Sequence, residues 1–129
     1  MKNIITPLLV VFSFFLGSTL FAQNNLEDLS LFLKKGDVTG LSLLLDEKVE
    51  VSIEERDSYT KPEASKMLST FFSNKTNSEY NAIHKGNSGD SSYYQIGELK
   101  TGSQVYRTYF YTKNVNGNYL VQELRIERI

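Results

Sequence analysis

Four strand-like runs, residues 79–85, 92–99, 104–113 and 118–128, are joined by GNSGD, KTGS and NVNG. No other feature of the chain restricts its fold so strongly. Connections this short leave no room for a crossover, so consecutive runs must lie side by side and antiparallel. Asn116-Gly117 strengthens the last hairpin, because both residues tolerate positive φ. The glycine-rich GNSGD could instead suggest an anion-cradling loop, but such a loop needs a following helix whose amino terminus faces the anion. The next run, SYYQIGEL, is strand-like, so GNSGD is read as a hairpin turn.

Upstream the periodicity changes. Leu26, Leu29, Phe32 and Leu33 share one helical face over 27–35, and Gly36 is placed to end that helix. Asp37 is positioned to cap a second short helix carrying Val38, Leu41, Leu44 and Leu45. KVEVSI, residues 48–53, alternates as a half-buried strand. YTKPEASKMLSTFF then spaces Ala64, Met67, Leu68, Phe71 and Phe72 as a helical stripe, with Thr60 and Glu63 as a capping box and Pro62 in the first turn. Helix, helix, strand, helix and a four-stranded meander predict an α+β domain, a curved antiparallel sheet packed on about three helices.

The first 22 residues read separately. Lys2 precedes an apolar stretch from Ile4 to about Phe15, and Gly17-Ser18-Thr19 leads to Leu20-Phe21-Ala22. This is the order of a secretory signal peptide, with cleavage expected after Ala22. The alternative is an uncleaved membrane anchor, since no charge falls between Lys2 and Glu27; Pro7 and Gly17 argue against it. Residues 23–129 then form one exported domain, periplasmic or extracellular, with no membrane association after cleavage. The chain has no cysteine, which excludes disulfides, thiolate metal sites and a thiol nucleophile. The net charge of −1 becomes one unit more negative when Lys2 is lost, and no basic cluster offers a nucleic-acid footprint.

Several short pieces resemble a known family: Leu45-Asp46-Glu47 leading into Val49-Glu50-Val51, Tyr59-Thr60-Lys61 before the helix ending Phe71-Phe72, Ile83-His84-Lys85-Gly86, Ile96-Gly97, Tyr106-Arg107 to Phe110, and above all Gly117-Asn118-Tyr119-Leu120-Val121-Gln122-Glu123-Leu124-Arg125-Ile126-Glu127. Together they resemble the bacterial domain-of-unknown-function 4783 family, within the nuclear transport factor 2-like superfamily. The resemblance implies a cone of curved antiparallel sheet around three helices, and an exported bacterial protein. It carries no assigned activity. Ketosteroid isomerase, polyketide cyclases and scytalone dehydratase share the superfamily and work through polar groups inside the cone, but fold does not settle function.

Candidate site residues follow from strand phase. Alternation puts Tyr80, Ala82 and His84 on one face, so His84, the single histidine, is expected in the cone if that face lines it. A general base needs an orienting partner; Asp57, Asp46, Glu98 and Gln122 are available, none at a diagnostic spacing. In the last strand Leu120, Gln122, Leu124 and Ile126 are read as facing the helices, and Tyr119, Val121, Glu123, Arg125 and Glu127 as forming a solvated or dimer-forming face. Gln122, an amide on an otherwise apolar face, needs hydrogen-bond partners if buried. Arg107 and Arg125 are read as cross-strand partners of Glu123 and Glu127 or as stacking on aromatics. His84, Gln122, Tyr59 and Tyr94 are the ligand-pocket candidates; no residue is assigned as catalytic, and no metal or cofactor is implied. The expected role is binding, of a small apolar ligand in the cone or of a protein partner, including a second copy, on the open sheet face. The alternative is an isomerase- or dehydratase-like enzyme using His84, with Tyr59 or Tyr94 donating a hydrogen bond.

Overall fold

The computed structural model describes residues 25–75, 78–87, 89 and 91–129; the expected signal peptide, 1–22, lies outside them. Helix α1, Asn25–Lys35, has acids in its first turn and Lys34 and Lys35 in its last, matching the helix dipole. It ends as the sequence predicts. Gly36 takes φ 65, with Gly36 N–H donating to the Leu33 carbonyl and Asp37 N–H to that of Phe32, a Schellman motif. Helix α2, Val38–Leu43, follows at once, and the Asp37 carboxylate accepts from Gly40 N–H at 3.0 Å. Helix α3, Lys61–Phe72, begins at Thr60, which is extended, but the expected capping box does not form because the Thr60 side chain makes no cap bond.

Strands β1 (Leu45–Ile53), β2 (Arg56–Ser58), β3 (Glu79–Asn87), β4 (Ser92–Thr101), β5 (Gln104–Val115) and β6 (Asn118–Arg128) form one sheet in the order β2-β1-β6-β5-β4-β3. The meander β3 to β6 pairs antiparallel throughout, as its short turns require. Asn116 and Gly117 both have positive φ. Two features are not legible in the sequence. The three-residue β2 folds back on β1 through Glu54, and β1 joins β6 in parallel, Val51 beside Leu124. The sheet is curved and unclosed, with the helices packed on one face.

Leu29 and Leu33 of α1, Leu41 of α2, Ala64 and Leu68 of α3 and Val49, Val51, Leu99, Phe110, Leu124 and Ile126 of the sheet are essentially sealed from solvent. They form one core cluster. β4 and β5 bury alternate residues on the helix side: Leu99, Tyr106 and Phe110 in the core cluster, and the polar Gln95, Thr108 and Thr112 beside them.

Two bulges reverse that alternation and correct the expected faces. In β3 the ladder passes from Ala82–Gly97 to His84–Ile96, leaving Ile83 over. Tyr80 therefore stays on the helix side while His84 turns to the outer face. In β6 the ladder passes from Thr112–Val121 to Tyr111–Glu123, leaving Gln122 over. Val121 is consequently buried in the core with Leu124 and Ile126, and Leu120 belongs to the other phase. An extra residue shifts a period-2 pattern by one, so all residues beyond it change face.

Candidate functional site

Inside the concave sheet this chain has a closed polar network. Gln95, 2% exposed, donates from Nε2 to the Tyr80 hydroxyl at 2.6 Å and to Ser30 Oγ at 3.1 Å. Its Oε1 accepts from the Tyr93 hydroxyl at 2.9 Å. The Thr108 hydroxyl reaches Tyr80 at 3.5 Å, and the Thr112 hydroxyl donates to the Tyr93 carbonyl. Burial raises the pKa of Tyr80, only partly offset by its bonds to Thr108 and Gln95. Burial, then the neighbouring Tyr80, raises that of Tyr93. Both phenols are held neutral and bonded. Sequence phase places Tyr80 on this side but misses Gln95, Thr108 and Ser30; the available signal is an amide and a hydroxyl at inward positions of adjacent strands.

The four candidate residues do not converge on a pocket. His84 is exposed on the outer face, its Nε2 3.0 Å from the Tyr94 hydroxyl and the two rings 5.6 Å apart. The structure thus joins His84 to Tyr94, one of the two tyrosines anticipated for it, but on an open surface; among the described residues neither forms an ion pair with a carboxylate. Tyr59 is 63% exposed, just before α3. Gln122 sits in the β6 bulge and donates to the Asp46 carboxylate at 2.7 Å and to the Leu120 carbonyl at 3.3 Å. Tyr59 and Gln122 therefore lie apart from the His84–Tyr94 pair.

The outer face carries a half-buried apolar band across β4 and β5, in which Tyr94 stands opposite Tyr111 and Ile96 opposite Tyr109. Arg125 pairs with Glu123 of its own strand at 2.6 Å and lies 6.0 Å from the Tyr109 ring centre. Arg107 stands between Glu98 and Glu127 in the ladder, but among the described residues the ion pairs are those of Arg125 and Arg128.

A second opening lies elsewhere. A cleft of about 970 Å³ runs between α3, the β1–β2 hairpin and the end of β6. Ile53, Met67 and Phe71 give it apolar walls, and Ser58 and Lys75 bring polar atoms into them. Ser58 is 1% exposed, and among the described residues its hydroxyl has no hydrogen-bond partner. Lys75 is half-buried, donates to the Phe71 carbonyl at 2.7 Å and lies 4.2 Å from the Phe71 ring centre. Phe71 in turn meets Tyr106 edge-to-face at 5.0 Å. Among the described residues no group of three or more His, Asp or Glu side chains is arranged to hold a metal ion, and no helix is long and apolar enough to cross a membrane.

Residues 26–127 match the model of a domain of unknown function, DUF4783. A DUF4783 family protein from Bacteroides uniformis is 27% identical, with a TM-score of 0.72 over 80% of this chain and 95% of that one. One from Bacteroides fragilis is 28% identical, with a TM-score of 0.70 over 79% and 96%. A de novo designed protein with a curved β-sheet, 12% identical, reaches a TM-score of 0.70 over 82% of this chain and 98% of its own, a likeness of fold alone. Nuclear transport factor 2-like designs are also among the structural neighbours. No curated protein matches the chain.

Proposed function

The chain belongs to the DUF4783 family, whose fold is known and whose role is not, and on that premise we propose that it is an exported, non-catalytic protein that binds a small, largely apolar ligand in the cleft beside α3 and not inside the cone. The carrying observation is the contrast between the two places. The cone interior is occupied by Tyr80, Tyr93 and Gln95, which satisfy one another, whereas the cleft has apolar walls and a buried hydroxyl that, among the described residues, lacks a partner. A buried polar group without a partner costs free energy of about 1–3 kcal/mol, and a ligand atom that bonds it removes that cost. Small-molecule sites are mostly apolar with a few placed polar groups, and the inner wall of Ile53, Met67, Phe71, Ser58 and Lys75 has that composition beneath an exposed, charged rim. Native mass spectrometry of protein purified from its own source should show a retained small molecule. Met67→Trp, which fills the cleft, should release it with circular dichroism unchanged. A purely apo mass for both proteins would overturn the reading.

A second reading rests on the outer band of Tyr94, Ile96, Tyr109 and Tyr111, which would seat a second copy of the chain face to face. Val121, buried in the core, takes no part in it. Light scattering at high micromolar concentration should then report a dimer; a monomer throughout would remove this reading.

A further inference from the structure

We infer that the ligand of the cleft is an apolar monocarboxylic acid whose carboxylate is held by Lys75; this rests on the cleft being the binding site. The charges that line the cleft differ with depth. Glu54, Glu55, Asp57, Glu63 and Glu127 are all exposed, and so are Arg56, Lys66 and Arg128. These charges are solvated and of both signs, and their field in the cleft is largely screened. Arg128 is further neutralised by Glu54 at 3.3 Å.

The buried and half-buried part of the lining is different. It consists of Ile53, Ser58, Met67, Phe71 and Lys75. Three of these are apolar, one is a hydroxyl and one is a cation, so among the described residues the only charge the inner wall offers is positive. Lys75 Nζ is satisfied on one side by the Phe71 carbonyl and the Phe71 ring, yet among the described residues it forms no ion pair with a carboxylate. A half-buried ammonium without a counter-charge favours an anion, and an ionised hydrogen bond is roughly twice as strong as a neutral one. The neighbouring apolar walls ask for hydrocarbon or an aromatic ring. Ser58, the second and independent observation, offers a hydroxyl to a further polar atom of the ligand.

The test uses octanoate and octanol as probes that differ in the charged end alone. Binding is followed by isothermal calorimetry and by chemical-shift changes of the cleft residues. Octanoate should bind at the cleft at least about tenfold more tightly than octanol. Lys75→Met, which keeps the length and apolar stem of the side chain, should abolish that preference. Lys75→Arg should restore most of it, which separates charge from packing if the methionine variant is destabilised. Equal affinity for both probes, with shifts still in the cleft, would overturn the carboxylate and leave the cleft as the binding site. Binding of neither probe would also overturn it, and the retained-ligand experiment on the Met67→Trp protein then decides the cleft separately.

Discussion

The Tyr80 side chain lies over Gly97 of the neighbouring strand, so closely that a β-carbon at residue 97 would collide with the phenol ring and its hydroxyl. That approach is what lets a bulky phenol enter the cone from the edge strand β3 and reach Gln95. Gly97→Ala should therefore destabilise the protein by about 1–3 kcal/mol through overpacking. Chemical denaturation measures this; a midpoint unchanged from wild type would mean that Tyr80 does not fill the cone.

Alkaline pH probes the same phenol. Burial raises the Tyr80 pKa above its ordinary value of 10.0. The folded state then keeps a proton that the unfolded state loses above that value. The corresponding stabilisation is fully present below pH 10 and declines as pH rises through the folded pKa. Once both states have titrated, the loss is about 1.4 kcal/mol for every pH unit by which the folded and unfolded pKa values differ. Tyr80→Phe should flatten this decline and cost about 1–3 kcal/mol at neutral pH, because it leaves the buried Gln95 amide without the Tyr80 acceptor. Equal alkaline sensitivity in the two proteins would assign the titration elsewhere.

Phe71 joins the core to the cleft. It is 8% exposed and meets Phe72 and Tyr106 edge-to-face at 4.9 and 5.0 Å. Phe71→Ala should cost about 3–5 kcal/mol. A thermal midpoint that does not move would show that the side chain is not packed as described.

The bulge in β6 is tied down by Gln122 and Asp46. Their bond, 2.7 Å long and involving a carboxylate, should give a coupling energy of about 0.5–1.5 kcal/mol in a double-mutant cycle of Gln122→Leu and Asp46→Leu. A coupling of zero would show that the bulge is held by backbone alone. Val121→Asp, by contrast, should prevent folding, since it places a charge at a position with no exposure.

The site is less legible in the sequence than the fold. Tyr94, one of the two tyrosines offered as a donor to His84, does meet it, but simple alternation puts His84 on the wrong face, because one uncounted residue, Ile83, stands between Tyr80 and His84. Gln122 reads as a polar residue in need of partners, yet its partner, Asp46, is 76 positions away along the chain. The cleft has no local signature at all. Ile53, Ser58 and Met67 come from β1, β2 and α3, and Lys75 from the segment after α3.

Local sequence determined what depends on neighbours along the chain: the stop at Gly36, the cap at Asp37, the turn at Asn116-Gly117 and the antiparallel meander. Short turns and single-residue φ preferences act within a few positions and are written there. Tertiary structure decided the parallel pairing of β1 with β6, the two bulges and hence which faces His84 and Val121 occupy. A strand's faces are defined only modulo one residue, and where the extra residue falls depends on the curvature the whole sheet must take to wrap its helices.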